Sequence, residues 1–240
     1  FHLREAKWVD NTGTPVADVT AQDYVDAIKY QLTPEYESGI VQNLFGVIAN
    51  ARAYYNGLVY NGGADDEGVV WNAIDFSEVG VKAVDDHTLT YTLETEVPYF
   101  ISSLAYIVYM PAYGPQLEEL GKEFATGADK MYYNGSYYMS EFSPQERRVY
   151  KKNTLNYDAD IVYIDEIQKI YNAEAFTIGP EMVKRGEIDH VEITADILDD
   201  WLSHEDTKNL ISRERPRNSY SYFYCFNFDP QFDAEYEPDN

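Results

Sequence analysis

Residues 79–100 read VGVKAVDDHTLTYTLETEVPYF. Val79, Val81 and Ala83 fall on one face of an alternating run, and Leu89, Tyr91 and Leu93 on one face of a second. Alternation of this kind, rich in β-branched and aromatic residues, marks strands buried on one side. Asp85, Asp86 and His87 lie between the runs, where aspartate side chains bond nearby backbone amides and stabilise a turn. Pro98 closes the second arm and suits the first turn of a helix, where a missing N–H costs nothing. The stretch predicts a hairpin with one apolar face and a helix directly after it. The segments around it must supply the apolar surface on which that face packs.

Upstream, residues 1–8 alternate as a short strand with Phe1, Leu3, Ala6 and Trp8 turned inward, and Asp10 to Pro15 is turn chemistry. Phe1 begins inside that strand, so the sequence is expected to be a piece of a longer chain. Thr20 is placed to cap a helix, with Asp23 near its positive end. Tyr24, Ala27, Ile28 and Leu32 give that helix an apolar stripe, which Pro34 terminates. Ser38 and Gly39 are expected to open a second helix that buries Ile40, Leu44, Val47, Ile48, Ala51 and Tyr55. Residues 56–75, rich in Gly, Asn and Asp, predict an exposed, mobile and dispensable loop. Its acidic run lacks the ligand spacing of an EF-hand.

Downstream, residues 115–121 predict a short helix ending at Gly121. Asn134 and Gly135 supply a tight turn before a strand over 137–142, with 145–152 as its hairpin partner and 164–171 as a further strand. Residues 172–185 read as a helix ended by Gly186, 188–193 as a short strand, and 195–202 as a helix burying Leu198, Trp201 and Leu202. Strand and helix alternate here as in an α/β lobe. A last strand over 219–229 puts Tyr220, Tyr222 and Tyr224 on one face and Phe223, Cys225 and Asn227 on the other. Those tyrosines fit a core or a ligand cleft equally.

The totals narrow the function. The chain has 240 residues, 45% hydrophobic and 15% aromatic, which is enough to bury a core. Its 42 acidic and 18 basic residues give a net charge of −24. That balance opposes nucleic acid and anionic membranes, and it either attracts a cationic ligand or serves solubility. A single cysteine, Cys225, rules out an internal disulfide and reads as a small buried thiol between aromatics. There is no His-Glu-x-x-His pair, Gly-x-Ser-x-Gly elbow or phosphate loop. Carboxylates are so common that no acid/base pair stands out; Asp158 with Asp160, and Asp199 with Asp200, read as solvated faces. Neither a metal nor a cofactor is expected.

The order of five stretches is more specific than any of them singly. They are FHLREAKWVDNTGTPVADVTAQDYVDAIKY at 1–30, GVKAVDDHTLTYTLE leading to VPYF at 80–100, YYNGSYYMSEF at 132–142, KRGEID at 184–189 and YSYFYCFNF at 220–228. In this order they resemble the extracytoplasmic oligopeptide-binding proteins of ABC importers, the family 5 solute-binding proteins. The chain departs from that pattern in the longer turn at 8–15 and in the extra Ala17-Asp18.

The resemblance implies a mixed α/β, periplasmic-binding-protein-like architecture of two lobes, incomplete at both ends. Residues 1–137 would belong to one lobe, 138–228 to the second, ligand-binding lobe, and 229–240 to an acidic tail. It implies a monomeric lipoprotein outside the cytoplasm, anchored through a segment upstream of Phe1. Such a protein captures oligopeptides, catalyses nothing and delivers its ligand to a membrane permease. The binding surface would comprise Ser38 and Gly39 through free amides at a helix start, Glu192 and Thr194 after the GEID turn, and Tyr222, Phe223, Cys225 and Asn227. Cys225 would replace an acidic side chain and leave its pocket neutral. The residue that holds the peptide's amino terminus would lie beyond this chain. The competing reading is a tyrosine-rich carbohydrate-active enzyme or carbohydrate-binding module.

Overall fold

The computed structural model describes residues 1–212 and Tyr224. The chain divides into two compact units, Phe1–Asn172 and Ala173–Asn240.

In the first unit, strands β1 (Lys7–Val9) and β2 (Pro15–Asp18) pair antiparallel. The turn between them is made by Asp10, whose carboxylate accepts from the amides of Thr12 at 2.8 Å and Thr14 at 3.0 Å. Gly13 sits there at φ +81°, where a side chain would be strained and would also run into the ring of Tyr138. Helix α1 (Ala21–Gln31) follows. Asp23, in its first turn, accepts from the backbone amide of Thr20 at 2.8 Å, which returns one half of a capping box. The same carboxylate accepts from the Trp8 indole N–H at 3.0 Å and the Gly114 amide at 3.3 Å. It is only 4% exposed. A carboxylate so buried is tolerated because donors surround it, and this one ties β1, α1 and the segment at Gly114 together.

The hairpin forms as expected, from β3 (Val81–Asp85) and β4 (Thr88–Tyr91), with Val81 opposite Tyr91 and Ala83 opposite Leu89. Asp85 accepts from the His87 amide at 2.9 Å and so makes the turn. Val79, Val81 and Leu89 enter one core with Ala21, Val25 and Ile28 of α1, with Leu32 just after it and with Phe100 and Tyr109 further on, while Tyr91 and Leu93 are half-buried at its margin. Phe1 is not turned inward: it is half exposed and meets Tyr91 edge to face at 5.9 Å.

The second helix differs from expectation. Residues 41–44 make a single 3-10 turn, Gly46 takes φ +71°, and helix α2 begins only at Ala51 and runs to Tyr60. No helix starts at Ser38. The apolar residues of the stretch are nevertheless core, with Leu44, Ile48 and Ala51 fully buried. The loop expected over 56–75 is therefore shorter, and it is tied down. Asp65 accepts from the amides of Glu67 and Val69 and from the Trp71 indole at 2.7 Å. Gly57 of α2 lies so close to Asn72 that an added Cβ would stand 2.6 Å from its carbonyl oxygen.

Short helices α3 (Phe100–Ser103) and α4 (Gly114–Leu120) lead to a three-stranded antiparallel sheet of β5 (Tyr137–Ser143), β6 (Arg147–Lys152) and β7 (Glu166–Ile170), with β6 central. Asn153 and Asn156 donate to the carbonyls of Gly135 and Asn134 and close the turn that enters β5. Tyr137, where the lobe change is expected, opens β5 within the first unit.

The second unit contains α5 (Ala175–Lys184) and α6 (Ala195–Ser203). Gly186, at φ +70°, donates to Val183 and Glu187 donates to Met182, the paired bonds of a Schellman end. Residues 188–193, expected as a strand, form none: no described strand pairs with them, and Val191 instead packs its side chain against Gly179 of α5. Trp201 is buried under the Lys184 ammonium, which lies 4.9 Å from its ring, but Leu202, expected inside, is 48% exposed.

Candidate ligand-binding site

The residues expected to touch a ligand are distributed over both units. In the first, Ser38 is half-buried and Gly39 exposed, in the link before the 3-10 turn at 41–44. A four-residue turn does not carry the aligned free amides of a helix start, so the geometric reason for choosing these two is lost. In the second unit, Glu192 is exposed and Thr194 half-buried, both in the extended link between α5 and α6. Thr194 is the residue before α6, with extended backbone, and its hydroxyl bonds the carboxylate of Asp196, which lowers that carboxylate's pKa. Tyr222, Phe223, Cys225 and Asn227 lie outside the described residues; Tyr224 between them is almost fully exposed.

A feature that the sequence did not announce is a cavity of about 450 Å³ in the first unit. It is bounded by the opening segment of the chain, Phe1 to Arg4, by the core edge at Tyr24, Leu89 and Tyr91, by Leu104 with Tyr109 to Pro111, and by Asn134, Gly135 and Tyr157. Burial raises the pKa of the Tyr24, Tyr91 and Tyr109 phenols; Tyr91 is raised further by its neighbours Tyr24 and Tyr109. All three are therefore neutral donors at physiological pH. Arg4 reaches over the ring of Tyr157, 5.1 Å from its centre. These residues come from six separated stretches, so no local spacing could have found the cavity. The only sequence signal was the half-apolar, half-polar nature of tyrosine at positions otherwise suited to a core.

Among the described residues no group of three or more His, Cys, Asp or Glu side chains is placed to hold a metal ion. No described helix is long and apolar enough to cross a membrane.

Comparison with known proteins gives one family. The model of the bacterial extracellular solute-binding proteins, family 5, matches residues 1–235. The oligopeptide-binding protein AliB of Streptococcus pneumoniae serotype 4 is 29% identical over 231 residues, 94% of this chain and 32% of that protein. The periplasmic oligopeptide-binding protein OppA of Escherichia coli K12 is 30% identical over 190 residues, 79% of this chain and 31% of that protein. Among solved structures, the periplasmic oligopeptide-binding protein OppAIV of Borrelia burgdorferi superposes with a TM-score of 0.70 at 25% identity, covering 85% of this chain and 37% of that one. This chain thus spans about a third of the length of the curated relatives it matches, and its mixed helix and strand content follows the periplasmic-binding-protein-like fold of those neighbours. With the family model matched over nearly all of its residues, the chain belongs to the bacterial extracellular solute-binding proteins of family 5.

Proposed function

We propose that this chain is part of the substrate-capturing component of an ABC importer, which binds oligopeptides outside the cytoplasm without transforming them and passes them to a membrane permease. The observation that supports this most is the family match over residues 1–235, joined to relatives whose names are those of oligopeptide-binding proteins. In this reading the protein is a lipid-anchored monomer. Residues 1–137 belong to one lobe, and residues 138–228 to the lobe that contributes most of the peptide contacts. Glu192 and Thr194, exposed or half-exposed in an extended link, offer a carboxylate and a hydroxyl to a peptide backbone. Ser38, Gly39, Tyr222, Phe223, Cys225 and Asn227 complete the proposed surface. Extended peptides are commonly held by backbone pairing, with pockets taking alternate side chains.

The test is calorimetric titration of the complete gene product containing this chain with a mixed pool of short peptides. Binding is expected, and substitutions at Glu192, Phe223 or Cys225 are expected to change which peptides bind without lowering the melting temperature. Should the complete protein bind a sugar or a metal chelate and no peptide, the oligopeptide reading is wrong.

A further inference from the structure

The tyrosine-lined cavity of the first unit contains none of the residues assigned to peptide capture above, and it has its own chemistry. Its volume, about 450 Å³, lies in the range that small-molecule pockets occupy. Leu3, Leu89, Leu104 and Met110 give it an apolar wall. Set into that wall are the phenols of Tyr24, Tyr91 and Tyr109, and none of them donates a hydrogen bond to any atom among the described residues. Their oxygens are not shut away from solvent, so each can exchange a water for an acceptor that a ligand brings to the cavity. Arg4 stands at the same cavity and forms no ion pair among the described residues, although the chain holds 42 acidic side chains. Its guanidinium carbon instead lies 5.1 Å from the centre of the Tyr157 ring, a contact that occupies none of its N–H groups.

We propose that this cavity is a second ligand site, which takes a carboxylate carried on an aromatic or branched apolar body. The apolar body fills the space between Leu104, Met110 and Leu89. The carboxylate receives the Arg4 guanidinium and the nearest phenols. Burial holds those phenols in the neutral, donating form. The same chemistry is presented by a free arylalkanoic acid and by the last residue of a peptide. The proposal does not rest on the transport reading, since a non-peptide acid tests it.

The experiment is calorimetric titration of the complete gene product with four probes: 3-phenylpropionate, 3-phenylpropionamide, and the tripeptide Gly-Gly-Phe as free acid and as amide. At least one free acid is expected to bind with its amide weaker by about tenfold or more, the usual effect of losing a hydrogen-bonded charge. Binding of 3-phenylpropionate identifies small acids as ligands; binding of the tripeptide acid alone identifies a peptide terminus. Arg4→Gln, on an exposed side chain, is expected to erase the difference between acid and amide at an unchanged melting temperature. Tyr91→Phe, which keeps the ring packed on Phe1, Phe100 and Tyr109, is expected to weaken the acid several-fold. Equal binding of acid and amide overturns the proposal. So does acid-selective binding that survives Arg4→Gln, or the absence of binding by all four probes at millimolar concentration.

Discussion

Among the described residues, the two units of the chain bury different amounts of apolar surface. In the first, α1, the β3–β4 hairpin, the turn at 41–44 and the start of α2 all place large aliphatic or aromatic side chains in one cluster. In the second, the buried apolar residues among those described are Pro180 on α5 and Trp201 on α6, with Gly179 letting α5 close onto Val191. Stability follows apolar area removed from water, so among the described residues the first unit has many contributors of similar size while the second has Trp201 with Pro180. A distributed core loses a fraction of its stability when one side chain is truncated, whereas a core built around a single ring loses most of it. The proposed contacts at Glu192 and Thr194 lie in a link between α5 and α6 with few buried apolar neighbours among the described residues, the kind of segment that opens locally at low cost.

The sharpest way to break this contrast is Trp201→Ala. Truncating a buried tryptophan costs about 3–5 kcal/mol. Here it also removes the ring beneath the Lys184 ammonium. Amide hydrogen exchange is expected to show α5 and α6 losing most of their protection. A loss below about 1 kcal/mol in those amides means that the second unit is held by something other than Trp201.

A smaller effect is expected at Leu89, which is 2% exposed at the centre of the hairpin face. Leu89→Ala should cost about 2–5 kcal/mol, depending on how far the cluster collapses into the space. Urea unfolding reads this as a lower midpoint at an unchanged slope. A cost below about 0.5 kcal/mol would mean that the hairpin is not part of the core.

The same contrast explains what the sequence revealed. The hairpin was legible because alternation, turn chemistry and burial agree at Val81, Asp85 and Leu89, and α1 was legible because cap and stripe agree at Thr20 and Ile28. The stretch from Ser38 to Tyr55 misled. Ile40, Leu44, Ile48 and Ala51 keep helical spacing, yet the chain breaks at Gly46, whose positive φ interrupts any helix. Two short helical pieces can present their apolar residues to one core, and periodicity records only the shared burial. The segment 188–193 misled differently. A strand is defined by its partner, and a partner distant in sequence leaves no mark on a window of six residues. The proposed peptide surface was legible only through resemblance, since Glu192 and Thr194 carry no pattern of their own. The tyrosine cavity was not legible at all, because its walls meet only after folding.

The smallest effect should come from Asp26, and it tests whether the large core of the first unit tolerates a misplaced charge. Asp26 is half-buried on α1, three residues after Asp23. Burial raises its pKa, the Gln22 amide bond at 2.7 Å opposes that, and the negative charges of Asp23 and Glu118 raise it again. A carboxyl whose pKa is higher in the folded state holds its proton more tightly there. At neutral pH its ionised form therefore weighs against folding. That penalty fades as pH falls through the raised folded value, and it is gone below the ordinary carboxylate value of 3.8. Asp26→Asn removes the charge but keeps an oxygen for Gln22. The substitution is expected to stabilise the protein at pH 7 by less than about 1 kcal/mol, with the gain shrinking toward zero near about pH 3. Urea midpoints of the two proteins at both pH values measure it. A variant that is less stable than its parent at pH 7 would show that the ionised Asp26 carboxylate has a stabilising partner, and that the first unit, like Asp23 within it, satisfies its buried charges rather than merely outweighing them.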